Sequence, residues 1–191
     1  MNILFINACP RTHSNTKLLA KYLLSKLPGN VYERNLTKTA LSPLTEQIVE
    51  QRTGLINKGN FGHPLFALAR EFAAADKIVM AAPLWDLSFP SLLKVYVEHI
   101  NVIGITFGYR VDGKPHGLCK AQKLYYVTTA GGPVLSDAYG YGYVQALAQQ
   151  FYGIPNTYCI KAENLDVDGT DVGSVLHRAK CDIDILLAQD K

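Results

Sequence analysis

Five short apolar runs, each followed by a segment of helical periodicity, constrain this chain more than any other feature. They fall at residues 3–6 (I-L-F-I), 31–36, 76–82 (D-K-I-V-M-A-A), 123–129 (K-L-Y-Y-V-T-T) and 157–162. The first and third lack the polar–apolar alternation of a half-exposed strand, which marks strands buried on both faces. The second is partly polar. Between the runs the period changes. Leu18, Leu19, Tyr22, Leu23 and Leu27 recur at helical spacing from Asn15 until Pro28-Gly29 stops the helix. Residues 43–63 hold helix formers broken by Gly54, Gly59 and Gly62, which predicts a surface helix and a loop. Pro64 opens a helix through Ala75. A helix from Pro90 carries Leu93, Val97 and Ile100 on one face, and two more run over about 139–152 and 172–187. Residues 83–89 and 104–117 read as loops, the second with a turn at Asp112-Gly113.

Buried strands joined by helical crossovers predict an α/β fold, a parallel sheet with helices on both faces. Five strands with right-handed crossovers allow the flavodoxin-like order 2-1-3-4-5. With 191 residues, 48% of them hydrophobic, and no repeat or linker, residues 1–191 are expected to form a single domain. The net charge of +3 is spread along the chain, too little and too scattered to imply a nucleic-acid partner. No apolar run reaches membrane-spanning length, and no basic segment precedes an apolar one at the N-terminus. A cytoplasmic protein is expected. Cys9, Cys119, Cys159 and Cys181 form neither a metal clip nor a C-x-x-C pair.

In open α/β sheets ligands sit beyond the carboxyl ends of the strands, where the strand order reverses. Three loops converge there, and all three have unusual composition. The first, N-A-C-P-R-T-H-S-N-T (7–16), sets Ser14, Asn15 and Thr16 at a helix start. Unpaired N–H groups and the helix dipole make such an end an anion site. The hydroxyls can donate to phosphate oxygens, with Arg11 or His13 adding charge. Ser14 acting as a plain N-cap fits the same residues. The loop is neither a Walker sequence nor a G-x-G-x-x-G fingerprint. A Cys9 nucleophile would need an arginine six residues on, where Asn15 stands. The second loop, A-P-L-W-D-L-S-F-P (82–90), places Trp85 and Phe89 beside the cleft. The third, T-T-A-G-G-P (128–133), has two glycines that permit close approach of a ligand to the backbone.

Together these stretches resemble the FMN-dependent NAD(P)H:quinone oxidoreductases and azoreductases of flavodoxin-like fold, over nearly the whole chain. A-P-L-W-D-L-S-F-P-S-L-L-K-V-Y resembles the family's isoalloxazine loop and the helix after it. I-T-F-G-Y (105–109), T-A-G-G (129–132), A-E-N-L-D-V-D-G-T-D (162–171) and C-P-R-T-H-S-N-T resemble further family segments. The resemblance implies a cofactor site in which Cys9, Arg11, Ser14, Asn15 and Thr16 form the phosphate loop. Pro83, Leu84, Trp85, Asp86 and Leu87 line the flavin, and Thr129, Ala130, Gly131 and Gly132 close its other side.

It implies FMN as cofactor, NADH or NADPH as donor, and a quinone or azo compound as acceptor. The reaction is two-electron ping-pong hydride transfer carried at the flavin N5, with no catalytic side chain and no metal. It also implies a homodimer. Tyr109, Tyr125 and Tyr139 are open as proton donors, as is solvent. Arg11, Lys58 and Arg110 are the cations open to a 2′-phosphate. The family's flavin loop often reads Tyr-Asn-Phe where this chain has Trp85-Asp86-Leu87, and its glycine loop often has a polar residue at the position of Ala130. Those departures bear on the acceptor. A non-enzymatic flavodoxin-like carrier is the main rival, although short-chain flavodoxins are typically acidic. An esterase ranks last, since no G-x-S-x-G elbow is present.

Overall fold

The computed structural model describes residues 1–189, so the last two residues of the expected domain lie outside it. In chain order the first half comprises β1 (Asn2–Asn7), α1 (Asn15–Lys26), β2 (Asn30–Asn35), α2 (Glu46–Asn57), α3 (Ala67–Ala74), β3 (Lys77–Ala81) and α4 (Ser91–Ile100). The second half comprises β4 (Phe107–Tyr109), β5 (Pro115–Gly117), β6 (Lys123–Thr129), α5 (Tyr141–Leu147), β7 (Asn156–Ala162) and α6 (Val172–Gln189). Five strands pair in parallel in the order β2-β1-β3-β6-β7. The flavodoxin-like α/β architecture is therefore as expected. The order 2-1-3-4-5 is corrected to 2-1-3-6-7, because two additional strands intervene in the chain. They come from residues 104–117, expected to be a loop. β4 and β5 pair antiparallel in a separate ribbon, closed at the foreseen turn by Gly113 N–H donating to Arg110 O at 3.0 Å.

The uninterrupted apolar runs arise because each central strand packs a core on both sides. Leu4, Ile6, Ile78, Met80, Leu124 and Tyr126 lie with Phe72, Leu93, Tyr96 and Val144 from α3, α4 and α5. Ile3, Phe5, Val79, Tyr125 and Val127 alternate with them and pack Leu19, Leu23, Ala179 and Ile183 from α1 and α6. Each buried Val, Leu, Ile, Phe or Met among them contributes about 1.5–3 kcal/mol by leaving water.

The helix expected over 139–152 is α-helical only to Leu147, and Ala148–Tyr152 widens into a π turn. Tyr152 at its end packs edge-on against Phe72, with ring centroids 4.8 Å apart, and donates to Asn101 Oδ1 at 2.6 Å. The ribbon seats on that turn through Gly117, where a Cβ would lie 2.0 Å from Gly153 N. No described helix is long and apolar enough to cross a membrane.

Candidate functional site

In register, Asn7 of β1 is level with Ala81 of β3, and Ala81 with Val127 of β6. The chain segments that leave these strands therefore emerge at one edge of the sheet. They enclose a cleft of about 140 Å³ lined by residues from four segments. Pro10, Arg11, His13, Ser14, Asn15 and Thr16 come from the first, Pro83, Leu84 and Trp85 from the second, Thr129, Ala130 and Gly131 from the third. Leu165 and Asp166 come from the loop after β7.

Ser14 caps α1: its Oγ accepts from Lys17 N–H at 3.2 Å. The first intrahelical bond runs from Leu18 N–H to Ser14 O. The N–H groups of Asn15 and Thr16 thus have no acceptor inside the helix and lie at its positive end. The capping reading of Ser14 therefore holds, and a cap through the oxygen is compatible with a ligand at the same helix end. Thr16 and Thr129, 1% and 8% exposed, share a hydrogen bond of 2.7 Å between their hydroxyls. This bond ties the start of α1 to the end of β6. Only one of the two protons is consumed in it.

The opposite wall is stitched from backbone. Leu165 N–H donates to Ala130 O at 3.1 Å, Asp166 N–H to Gly131 O at 2.9 Å and Asn164 N–H to Gly132 O at 3.1 Å. Gly131 gives the Asp166 side chain its room there, because a Cβ would stand 2.3 Å from Asp166 Oδ2 and push that carboxylate aside. Leu84 N–H donates to Thr129 O at 2.9 Å, which holds the second segment against the third. Beyond Trp85 the chain makes a tight turn, with Trp85 and Ser88 exchanging both backbone bonds at 2.8 Å. Asp86 and Leu87 have φ of 50° and 66°, the geometry of a type I′ turn that ordinarily takes Asn-Gly. Trp85 and Leu87 are 40% and 58% exposed at the mouth of the cleft. Ser88 Oγ donates to Tyr139 O at 2.6 Å and so joins this turn to the following loop.

Of the residues expected in the site, Arg11, Ser14, Asn15, Thr16, Pro83, Leu84, Trp85, Thr129, Ala130 and Gly131 come together around the cleft. Asp86 and Leu87 sit on the exposed turn outside its lining, and Gly132 serves through its carbonyl bond to Asn164. Cys9 is turned away. Its thiol is buried among α1 and β3 residues and donates to Ala81 O at 3.7 Å. Burial pushes that thiol above its ordinary pKa, the opposite of what a nucleophile needs. Tyr125 is fully buried on the α1 side of the sheet and has no route to an acceptor, whereas Tyr109 and Tyr139 are exposed. Lys58 and Arg110 do not line the cleft.

Sequence reasoning assigned no site role to Pro10, Leu165 or Asp166. The signal for the last two was topological: β7 pairs with β6 as far as Thr129↔Ala162, so the loop after β7 must leave at the same edge.

The arrangement suits a flavin mononucleotide. An anion fits the helix end, and the glycine wall admits a flat group against backbone. A flavin is larger than the enclosed volume, which is below the roughly 300–1,000 Å³ of pockets that bury most of a ligand.

Residues 1–180 match a family described as flavodoxin-like fold. The chain belongs to that flavodoxin-like family. Among curated relatives, an FMN-dependent NADH:quinone oxidoreductase of Clostridium beijerinckii is 33% identical over 91% of this chain and 90% of its own length. A second protein of that name from Clostridium acetobutylicum is 35% identical over 89% and 88%. Among solved structures, an azoreductase from Bacillus anthracis superposes with a TM-score of 0.83 at 22% identity, covering 97% of each chain. An FMN-dependent NADH-azoreductase from the same species, in complex with FMN, gives 0.80 at 21% identity over 98% of each chain. These two share the flavodoxin-like fold.

Proposed function

We propose that this protein is an FMN-dependent NADH:quinone oxidoreductase that also accepts azo compounds. The observation that carries the reading is the four-segment cleft: a hydroxyl-rich helix end at one side, a glycine wall at the other, and an exposed apolar turn at its mouth. The relatives above 30% identity over nine-tenths of the chain lend it support.

The Ser14 hydroxyl and the N–H groups of Asn15 and Thr16 hold the FMN phosphate, with Arg11 and His13 adding positive charge in the same cleft. Pro83, Leu84 and Trp85 line one side of the ring system, Asp86 and Leu87 extend that wall at the mouth, and Thr129, Ala130, Gly131 and Gly132 form the other side. FMN when bound supplies the redox chemistry, two-electron transfer from a nicotinamide donor to the acceptor in a ping-pong sequence. The protein contributes binding, orientation and a partly dry apolar face against which donor and acceptor stack in turn. Backbone N–H groups beside the ring that are not spent within the fold would stabilise negative charge on the reduced cofactor. Tyr109 and Tyr139 are the hydroxyls exposed for proton delivery, alongside solvent. NADH is the donor in this reading, as it is in the names of the relatives above 30% identity.

Two copies assemble with the clefts near the interface, which would cover the exposed Trp85, Leu87, Leu135 and Tyr139. A reducing, cytoplasmic setting suits four free cysteines.

The test is direct. The purified protein should be yellow, release FMN on denaturation, and oxidise NADH with menadione as acceptor. Recovery of FAD, or no flavin after reconstitution, refutes the proposal. FMN bound without steady-state NADH turnover would make the chain a carrier instead.

A further inference from the structure

Asn7 ends β1 with its side chain wholly buried and both ends of its amide engaged. Nδ2 donates to Glu33 Oε1 at 2.7 Å, and Oδ1 accepts from Cys9 N–H at 3.0 Å. The second bond closes an Asx turn immediately before the segment that runs to Ser14. Glu33 lies on β2, the outer neighbour of β1, and neither it nor Asn7 lines the cleft.

The orientation of the amide is not free. A carboxylate only accepts, so it selects the NH₂ end of Asn7 and leaves Oδ1 facing Cys9 N–H. Flipping the amide would set oxygen against oxygen at one end and N–H against N–H at the other. Glu33 therefore fixes Asn7, Asn7 fixes the backbone at Cys9, and that turn sets the direction in which residues 10–14 leave the sheet. The far end of the same segment is anchored independently by the Ser14 cap.

We infer that Asn7 and Glu33 are positioning residues for the phosphate loop, acting from behind it through the Cys9 turn. The inference rests on the proposal that residues 10–16 receive the FMN phosphate. It assigns Glu33, a surface acid of an edge strand, a part in cofactor affinity.

Because one hydrogen bond in the relay can be reversed without changing its shape, the test is a rescue. Asn7→Asp sets carboxylate against carboxylate. In Asn7→Asp/Glu33→Gln, the new amide at 33 donates to one aspartate oxygen at 7, and the other still accepts from Cys9 N–H. Glu33→Ala, at an exposed position, removes the acceptor with little risk to folding. Dissociation constants for FMN and for riboflavin, which lacks the phosphate, are measured by flavin fluorescence on the full-length protein stripped of cofactor.

Asn7→Asp and Glu33→Ala should each weaken FMN by about tenfold, the loss expected for one charge-assisted hydrogen bond. Riboflavin binding should stay within about twofold of the starting protein, and the double variant should return FMN affinity to within about threefold. Unchanged FMN affinity in Glu33→Ala overturns the inference. So does an equal loss for riboflavin, or a double variant as weak as Asn7→Asp. If the unaltered protein itself binds FMN no tighter than riboflavin, the phosphate reading of the loop fails and the inference falls with it.

Discussion

Removing both hydroxyls of the Thr16–Thr129 pair should destabilise the protein by clearly less than the sum of the two single removals. The two oxygens are 2.7 Å apart and nearly inaccessible. Thr16→Val keeps the side-chain shape but leaves the Thr129 hydroxyl without its partner. The lost bond is worth about 1 kcal/mol net, and an orphaned buried hydroxyl adds about 1–3 kcal/mol. Thr129 borders the cleft, so water can reach its oxygen and moderate that second figure. A total near 2 kcal/mol is expected, which for a chain of this size lowers Tm by about 4–8 °C. Thr129→Val should behave alike, with the burden shifted to Thr16. In Thr16→Val/Thr129→Val no orphan remains and two apolar groups meet, so the double variant should regain about 1–2 kcal/mol over the sum of the singles. Urea unfolding of all four proteins, freed of FMN, gives the coupling energy. Strictly additive losses, or single losses below about 0.5 kcal/mol, would refute the pairing.

Leu87→Gly should stabilise the fold by about 0.5 kcal/mol, since relief of a left-handed φ outweighs the added freedom of the unfolded chain; turnover with menadione should fall as the apolar mouth is lost, and a lower unfolding free energy would count against the strain. Gly131→Ala should weaken FMN by about tenfold, or 1.4 kcal/mol, with added Asp166→Ala restoring it; no restoration would mean that the methyl group occupies the cofactor's own space. In the folded protein Cys181, the exposed thiol, should react with Ellman's reagent first. Burial pushes Cys9 up and Cys119 and Cys159 to about 12, so these three should label only in denaturant. The Lys120 ammonium and the Asn2 N–H hold the Asp76 carboxyl below its ordinary value of 3.8. The stability this gives is fully present above that value and is lost as pH falls through the lower folded one; an Asp76→Asn protein should therefore show a flatter Tm profile below about pH 4.

The central strands β1, β3 and β6 were legible because burial on both faces erases alternation and leaves plain apolar runs, whereas the exposed edge strand β2 left only a partly polar one. The ribbon was not legible. Its strands are three residues long, and Gly108, Pro115 and Gly117 spell loop rather than strand. The π turn was hidden too, since Tyr143, Leu147 and Phe151 keep ordinary helical spacing while the backbone widens beneath them.

In the site, three of four wall segments carried compositional signals. Asp166 carried none, as an acidic residue in a polar loop looks like solvent-facing chain until β7 is placed beside β6. Cys9 misled by sitting inside the conspicuous loop while its thiol turns under it. Asp86-Leu87 gave no sign of a type I′ turn because neither residue is glycine or asparagine, and only the flanking Trp85–Ser88 bonds reveal it.

The cleft is assembled from both ends of the chain, its first lining residue being Pro10 and its last Asp166. A ribosome delivers these in order. At about 5–20 residues per second, the two are separated by on the order of ten to thirty seconds of synthesis. Throughout that interval the nascent chain offers a helix end with no wall facing it, and β7 must dock on β6 before the wall exists. Cofactor capture thus waits until the chain has been made past Asp166 and β7 is in place. Cells short of riboflavin would accumulate folded, colourless protein that becomes yellow when the vitamin returns, and chains terminated before residue 160 would never take up colour at all.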